Sequence, residues 1–393
     1  MAKPFDPRKT LKHIANPLLR EFFTHRDELS DVPWDDLTEH KIDPIFEAWQ
    51  ALPLNTQLEV QVILRDIHEL ADHRGLAVLA EEVGWRIPDR MAEYEAQEGK
   101  ADRAMWVYLN TPEAFAEAAL FARADALAAG RQWKRRNSLP KVSLEVDAIM
   151  LGRLQDGLSG FYGPTQMRGR RCEVLHYHRH EGGDYFFAYL DDYPDKHLVF
   201  DESSDRPVVR ADRQAFQNVF VYNPDDGSME VFAPGGRRVW EPLQSAFCHA
   251  VLGRRVDPAD PMKPIYKLDH LLTPDFPLPT DPADRVEESR LKRIRLGQRG
   301  RRDALELTVD PRDGKYEIYR KLEKLRRVGL VNDATRVFSA SFELRFVHEG
   351  CGRRKTMSFD VSTPNSCNLK SKPDEQRAVG ERCLKMWEIV DDA

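Results

Sequence analysis

The tripeptide Gly-Arg-Arg occurs five times in this chain, at Gly169-Arg170-Arg171, Gly236-Arg237-Arg238, Gly253-Arg254-Arg255, Gly300-Arg301-Arg302 and Gly352-Arg353-Arg354. Two guanidinium forks beside a residue whose backbone approaches a ligand closely suit phosphate recognition. The run SRLKRIRLGQRGRR adds Arg290, Lys292, Arg293, Arg295 and Arg299 to Arg301 and Arg302, with Leu291, Ile294 and Leu296 as apolar anchors between them. Downstream, Arg320, Lys324 and Arg327 fall at i, i+4 and i+7, a basic ridge on a helix. Arg353, Arg354 and Lys355 stand where a hairpin tip is expected. Three such surfaces on one small domain can track a phosphate backbone, each neutralised phosphate releasing a counterion. The competing reading of the same cations is a solvated face with ion pairs to Glu317, Glu323 and nearby acids. The steps at 169, 236 and 253 read as Arg-rich turns. Those at 300 and 352 are expected to form one surface with the helix ridge beside it.

A second constellation is HYHRH. On a strand His176, His178 and His180 share a side, successive rings about 7 Å apart. With Asp184 or His197 they provide the donor types of a metal site, and an exposed polar strand face accounts for them equally well. HELADH, His68 to His73, has a spacing of five where a zinc-protease helix needs four. His348, Cys351, Cys367 and Cys383 contain no paired CxxC. Asp333 with Glu343 and Arg345 is the nearest approach to a nuclease carboxylate set, and arginine cannot replace its lysine. There is no GxxxxGK[ST] loop, GxSxG elbow or strand-bound GxGxxG, so no cofactor is expected.

These residues need a scaffold, and composition bounds it. A chain of 393 residues with 41% hydrophobic and 32% charged residues builds two or three globular domains. No apolar run reaches the roughly 18 residues of a spanning helix, and MAKPFDPRKTLKHI lacks the apolar core of a signal peptide. The expectation is a cytoplasmic protein with no membrane partner. Five scattered cysteines agree with reduced thiols. Arginine outnumbers lysine 41 to 18, as in GC-rich bacterial genomes. Residues 285–393 carry a balance of +7, the remainder −13, and that asymmetry is an electrostatic footprint of nucleic-acid binding.

The expected fold class is α+β, in three parts. Residues 1–140 form an acidic helical domain suited to protein partners. LEVQVILRDIHELADHRGLAVLAEEV sets Val60, Ile63, Ile67, Leu70, Leu76, Leu79 and Val83 on one face, and TPEAFAEAALFARADALAAG is capped by Thr111, with Pro112 first and Gly130 closing. RQWKRRNSLPK reads as a linker. Residues 141–275 read as a mainly antiparallel β domain with period-two strands. Two hairpins are expected, CEVLHYHRH with YFFAYL and AFQNVFVY with MEVFAP, then a helix at VWEPLQSAFCHAVL and a Pro/Asp-rich loop or linker. PGGRR is a turn, and Tyr185, Phe187 and Tyr189 belong to a covered central strand rather than to a stacking platform.

Residues 276–393 read as a basic strand-helix-strand-strand-helix domain. Its terminal helix starts near Pro373, with Ser371 and Asp374 in capping-box-like spacing and Val379, Cys383, Met386 and Val390 inward. IYRKLEKLRRVGLV followed by two strands resembles the recognition helix and wing of a winged helix over some forty residues. It departs from that pattern before the helix, where 295–312 reads as strand and turn instead of the first helix of a helix-turn-helix. The leading expectation is a non-enzymatic nucleic-acid-binding protein, DNA favoured slightly over RNA, serving a bacterial defence system, a mobile element or a transcription complex. The alternatives are a metal-dependent nuclease using HYHRH or another carboxylate set, and a structural subunit of a protein assembly.

Overall fold

The computed structural model describes residues 5–128, 132–180, 183–201, 206–255, 265–298, 303–310, 312–347, 355–369 and 372–390. The fold is α+β, and the chain divides into two compact units, Met1–Ala126 and Leu127–Ala393. Among the described residues no helix is long and apolar enough to cross a membrane.

The first unit is helical: α1 (Pro7–Lys12), α2 (Asn16–Thr24), α3 (Asp43–Gln50), α4 (Leu54–Leu70), α5 (His73–Arg86), α6 (Met91–Glu95), α7 (Lys100–Asn110) and α8 (Pro112–Leu127). The long apolar periodicity around residue 70 is split between two helices. Asp72 leaves helical geometry and accepts from the backbone N–H of Arg74 and Gly75, which caps α5. Gly75 is required there, because a Cβ would meet the Leu70 carbonyl oxygen at 2.3 Å. Leu64 and Val78 are buried, while Ile63 and Leu76 are only half-buried. Thr111 stands directly before α8, with Pro112 its first residue as expected, and its hydroxyl donates to the Val107 carbonyl of α7. Gly130 lies outside the described residues.

The second unit contains two antiparallel five-stranded sheets. The first has the order β1-β5-β4-β3-β2, from β1 (Trp133–Arg136), β2 (Cys172–Arg179), β3 (Gly183–Asp201), β4 (Arg206–Asn223) and β5 (Ser228–Phe232). Both expected hairpins form, with Arg179 opposite Gly183 and Asn223 opposite Ser228. WKRR, expected in a linker, is instead the edge strand β1 on β5. Two helices, α9 (Ala148–Gln166) and α10 (Arg237–Val251), cover one face. Leu154, Leu158 and Tyr162 of α9 and Phe247 of α10 are fully buried against Phe186, Ala188 and Phe220. Helix α9 falls where the sequence predicts period-two strands. Gly152, Gly157, Gly160, Gly163 and Pro164 mask a helix that burial of one stripe holds together. Tyr185, Phe186, Phe187 and Ala188 are buried on both faces of β3, as expected of a covered central strand.

The second sheet has the order β10-β9-β8-β6-β7, from β6 (Val286–Gln298), β7 (Ala304–Thr308), β8 (Thr335–Phe346), β9 (Thr356–Ser362) and β10 (Ser366–Cys367). Helices α11 (Glu317–Arg327) and α12 (Asp374–Met386) pack on one face around Phe342, Phe359 and Trp387. The basic run is β6, which pairs with both β7 and β8. The strand-helix-strand-strand-helix order is present, with β6 added before it and the short β10 before α12. Met386 is 44% exposed, contrary to its expected inward place, while Leu384 and Trp387 are buried. Ser371 lies outside the described residues, and no side chain caps α12. Tyr266, Leu268 and Leu271, from the Pro/Asp-rich stretch, are buried in this second core. Reciprocal hydrogen bonds between Arg135 and Asn365 tie the two sheets together.

Candidate nucleic-acid interface

Five of the expected phosphate-binding residues, Arg299, Arg301, Arg302, Arg353 and Arg354, lie outside the described residues. The residues flanking those two turns, Gln298 and Val347, sit at opposite ends of the β6–β8 ladder, where Gln298 pairs with Thr335 and Val286 with Phe346. The expected joint surface of the steps at 300 and 352 therefore lies outside the described residues. The other three Gly-Arg-Arg steps have a backbone cause: Gly169, Gly236 and Gly253 adopt φ of +69°, +75° and +62°, a region that favours glycine.

On β6 the sheet separates apolar from charged side chains. Leu291, Ile294 and Leu296 point under the helices, and Arg290, Arg293 and Arg295 take the opposite face. Arg290 is corrected from a phosphate-binding residue to a core residue. It is 1% exposed, its Nε and Nη2 lie 2.9 and 2.6 Å from Glu343 Oε1, and its Nη1 donates to the Asp313 carbonyl at 3.2 Å. Glu343 also faces Arg345 at 3.3 Å and Lys292 at 3.8 Å. Arg293 pairs with Asp360 at 3.1 Å, and Arg295 is exposed. This face is close to neutral, with carboxylates already occupying most of its cations.

Helix α11 differs. Ile318, Tyr319 and Leu322 bury its inner side, and Arg320, Lys324 and Arg327 line the outer side. Arg320 and Arg327 have side chains 75% and 76% exposed, in loose pairs with Glu317 at 3.3 Å and Glu323 at 3.4 Å. Arg312 and Lys315 extend the exposed charge into the preceding turn. Lys321 and Arg326, which the ridge pattern omits, hold the helix by donating to the carbonyls of Thr308 and Leu272. Because α11 covers the inner face of the sheet, its ridge and the β6 arginines point to opposite sides of the domain. A duplex laid on the ridge cannot reach Arg293 or Arg295. Lys355 is exposed at the start of β9, near Phe346. The first helix of a winged-helix motif is missing, since β6, β7 and the turn after them occupy its place.

The histidine strand forms a hydrogen-bonded cluster. Asp184, 4% exposed, accepts at Oδ1 from His176 Nε2 at 2.9 Å and His178 Nδ1 at 3.1 Å. The two rings converge on the carboxylate oxygen itself, which occupies the point a shared metal ion would need. Among the described residues no group of three is placed to hold a metal ion. His180 is exposed beyond the end of β2. Burial raises the Asp184 carboxyl, and the two histidine hydrogen bonds outweigh it, leaving its pKa below the usual value. A depressed carboxylate contributes stability above its unfolded pKa and loses it as pH falls through the folded one. Asp184→Asn is therefore destabilising at neutral pH, and its deficit against the unmodified chain should shrink in denaturant melts carried to acid pH. A constant deficit across pH would remove the charged hydrogen bonds as its cause.

The other sequence-level candidates stay apart. His68 lies in the last turn of α4 and His73 starts α5, so they share no helix. His348 and Cys351 lie outside the described residues, and Cys383 is buried in the core. Asp333 is an exposed turn residue, while Glu343 is committed to Arg290. Compared with known proteins, the chain matches no protein-family model and no curated protein.

Proposed function

We propose that the protein is a non-enzymatic nucleic-acid-binding protein that engages the phosphate backbone through the outer face of α11. The observation that carries this reading is the helix itself, with five cations and two carboxylates in eleven residues and its ridge turned to solvent. Exposed ion pairs with Glu317 and Glu323 are worth about 0–1 kcal/mol, so phosphate can displace them. A helix is the element that a major groove admits, which favours duplex DNA over RNA. The helical unit is assigned protein contacts: Leu54, Leu58 and Val62 recur every four residues along α4 and are 51–66% exposed. A bacterial defence, mobile-element or transcription complex is the setting that such a binder fits.

The test is direct binding to random duplex DNA at low salt, with single strands and duplex RNA in parallel, after nuclease treatment of the protein. Salt-sensitive binding strongest for duplex DNA is the expected result. Absence of binding to all three removes the proposal.

A further inference from the structure

The row of the α11 ridge runs past its last cation. Val328 lies four residues beyond Lys324 and eight beyond Arg320, so it continues their line along the outer face. Gly329 then takes a φ of +74°, and the turn closes back on the helix. Its N–H donates to the Arg326 carbonyl at 3.0 Å, and the N–H groups of Leu330 and Val331 donate to the Leu325 carbonyl at 3.0 and 3.4 Å. Val331 enters the core at 4% exposure, whereas Val328 and Leu330 stand 67% and 64% exposed. A hydrogen-bonded turn thus holds two apolar side chains out in water at the end of a basic row. Their surroundings are cationic. Arg327 directly precedes Val328, and Glu323 on the same turn of helix lies 3.4 and 3.9 Å from Arg327 and Arg326. The exposed Asp333 further on has Arg336 donating to its backbone carbonyl at 2.8 Å. From Glu317 to Val331 the chain carries five cations and two carboxylates.

We infer that Val328 and Leu330 are the sequence-reading contacts of this surface and select thymine, by meeting its C5-methyl group in the major groove of duplex DNA. This rests on the seat proposed for α11 and adds the base that the seat prefers. The excess of cations on the helix selects a polyanion as the occupant, and a duplex lying along Arg320 and Lys324 reaches Val328 about 6 Å further on, at ~1.5 Å per residue. Base edges in the major groove present hydrogen-bond donors and acceptors, to which thymine adds a methyl group. An apolar side chain pressed on a polar edge strips water from groups it cannot bond, which costs affinity. Pressed on the methyl group, the same side chain takes apolar surface out of water on both partners. The cations thus supply phosphate contacts that are blind to sequence, and the apolar pair supplies the discrimination. A lipid surface suits the charge and not the shape, because the apolar side of α11, with Ile318, Tyr319 and Leu322, is already buried in the core.

Fluorescence anisotropy of the nuclease-treated full chain tests this with two duplexes of one A·T-rich sequence, the second carrying deoxyuridine in place of every thymine. The exchange removes the methyl groups and keeps every phosphate and every hydrogen-bonding edge. The thymine duplex should bind more tightly, by about fourfold for each methyl group contacted. Val328→Ser with Leu330→Ser should bring the thymine duplex down to the deoxyuridine level, while the salt slope and circular dichroism match those of the unmodified chain. Equal binding of the two duplexes by the unmodified chain overturns the inference and leaves the phosphate-binding role of α11 standing. Discrimination that survives the serine pair overturns the assignment to this turn. Absence of binding to either duplex removes the role of α11 and the inference together. Pelleting with anionic lipid vesicles, or self-association in sedimentation, that the serine pair abolishes while the two duplexes bind alike gives the turn to a membrane or a second copy and overturns the inference.

Discussion

Replacing Arg320, Lys324 and Arg327 together by alanine should flatten the dependence of log Kobs on log salt by about 2.7, at ~0.9 for each duplex-DNA phosphate that is no longer neutralised. The argument rests on how each cation is held. Arg320 and Arg327 are three-quarters exposed and sit 3.3 and 3.4 Å from glutamates that are themselves partly solvated. Surface pairs of that kind contribute little, so removing the three side chains leaves the fold within a few tenths of a kcal/mol per site. Affinity and stability therefore part company, which makes the variant informative. Arg293→Ala is the matched control: it removes one cation from the opposite face of the same domain, where Asp360 already holds it. It should leave the slope unchanged. An unchanged slope in the triple variant, or an equal loss in the control, would sink the assignment to α11. The buried Ile318 and Leu322 under the ridge make the readout one of charge, because the substitutions leave the packed side of the helix untouched.

The parts legible in the sequence were those whose periodicity and burial agree. The hairpin of CEVLHYHRH with YFFAYL was readable because β3 alternates nothing and buries both faces, while β2 ends at a turn. Helix α11 was readable from Ile318, Leu322 and the cations between them. Helix α9 was hidden by four glycines and a proline, residues with the poorest helical propensity, and only tertiary burial of Leu154, Leu158 and Tyr162 overrides them. Strand β6 was hidden for a different reason. Its bulge between Leu291 and Arg293, where Lys292 has no opposite residue on β8, breaks the two-residue alternation, so a central strand reads as a basic coil. The far ends of β3 and β4, Asp191–Asp201 paired with Arg206–Arg213, escaped because their polar and apolar residues balance, giving no signal beyond the covered part of the sheet.

For the candidate interface, residue type was visible and direction was not. Arg290 and Arg320 are the same chemical group, and only the register that places Arg290 opposite Glu343 separates a core residue from a surface one. The five-fold Gly-Arg-Arg pattern divides along the same line. At 169, 236 and 253 it marks backbone turns with positive φ, and the steps at 300 and 352 lie outside the described residues.

That difference sets the second large effect. Glu343→Ala should destabilise the second unit by about 3–5 kcal/mol, because it strands a buried guanidinium without its counter-charge. Arg290 is 1% exposed and spends two nitrogens on Glu343 Oε1, so water cannot substitute for the missing carboxylate. The Asp313 carbonyl remains as a partner for Nη1, and a neutral acceptor does not balance the charge. Pairing the change with Arg290→Met, which removes the stranded charge and keeps an apolar side chain of similar length, should recover most of the loss. Urea denaturation of the single and double variants measures the cycle. A cost near zero for Glu343→Ala would show that the pair is solvated after all, and a double variant no better than the single would assign the cost to packing instead of charge. The cycle also bears on α11. Arg290 sits on β6, the strand whose Leu291 and Ile294 share the core with Ile318 and Leu322, so loosening it should weaken DNA binding only through the population of folded protein. At denaturant-free conditions, where the remaining stability still keeps the chain folded, the salt slope of Glu343→Ala should match that of the unmodified protein.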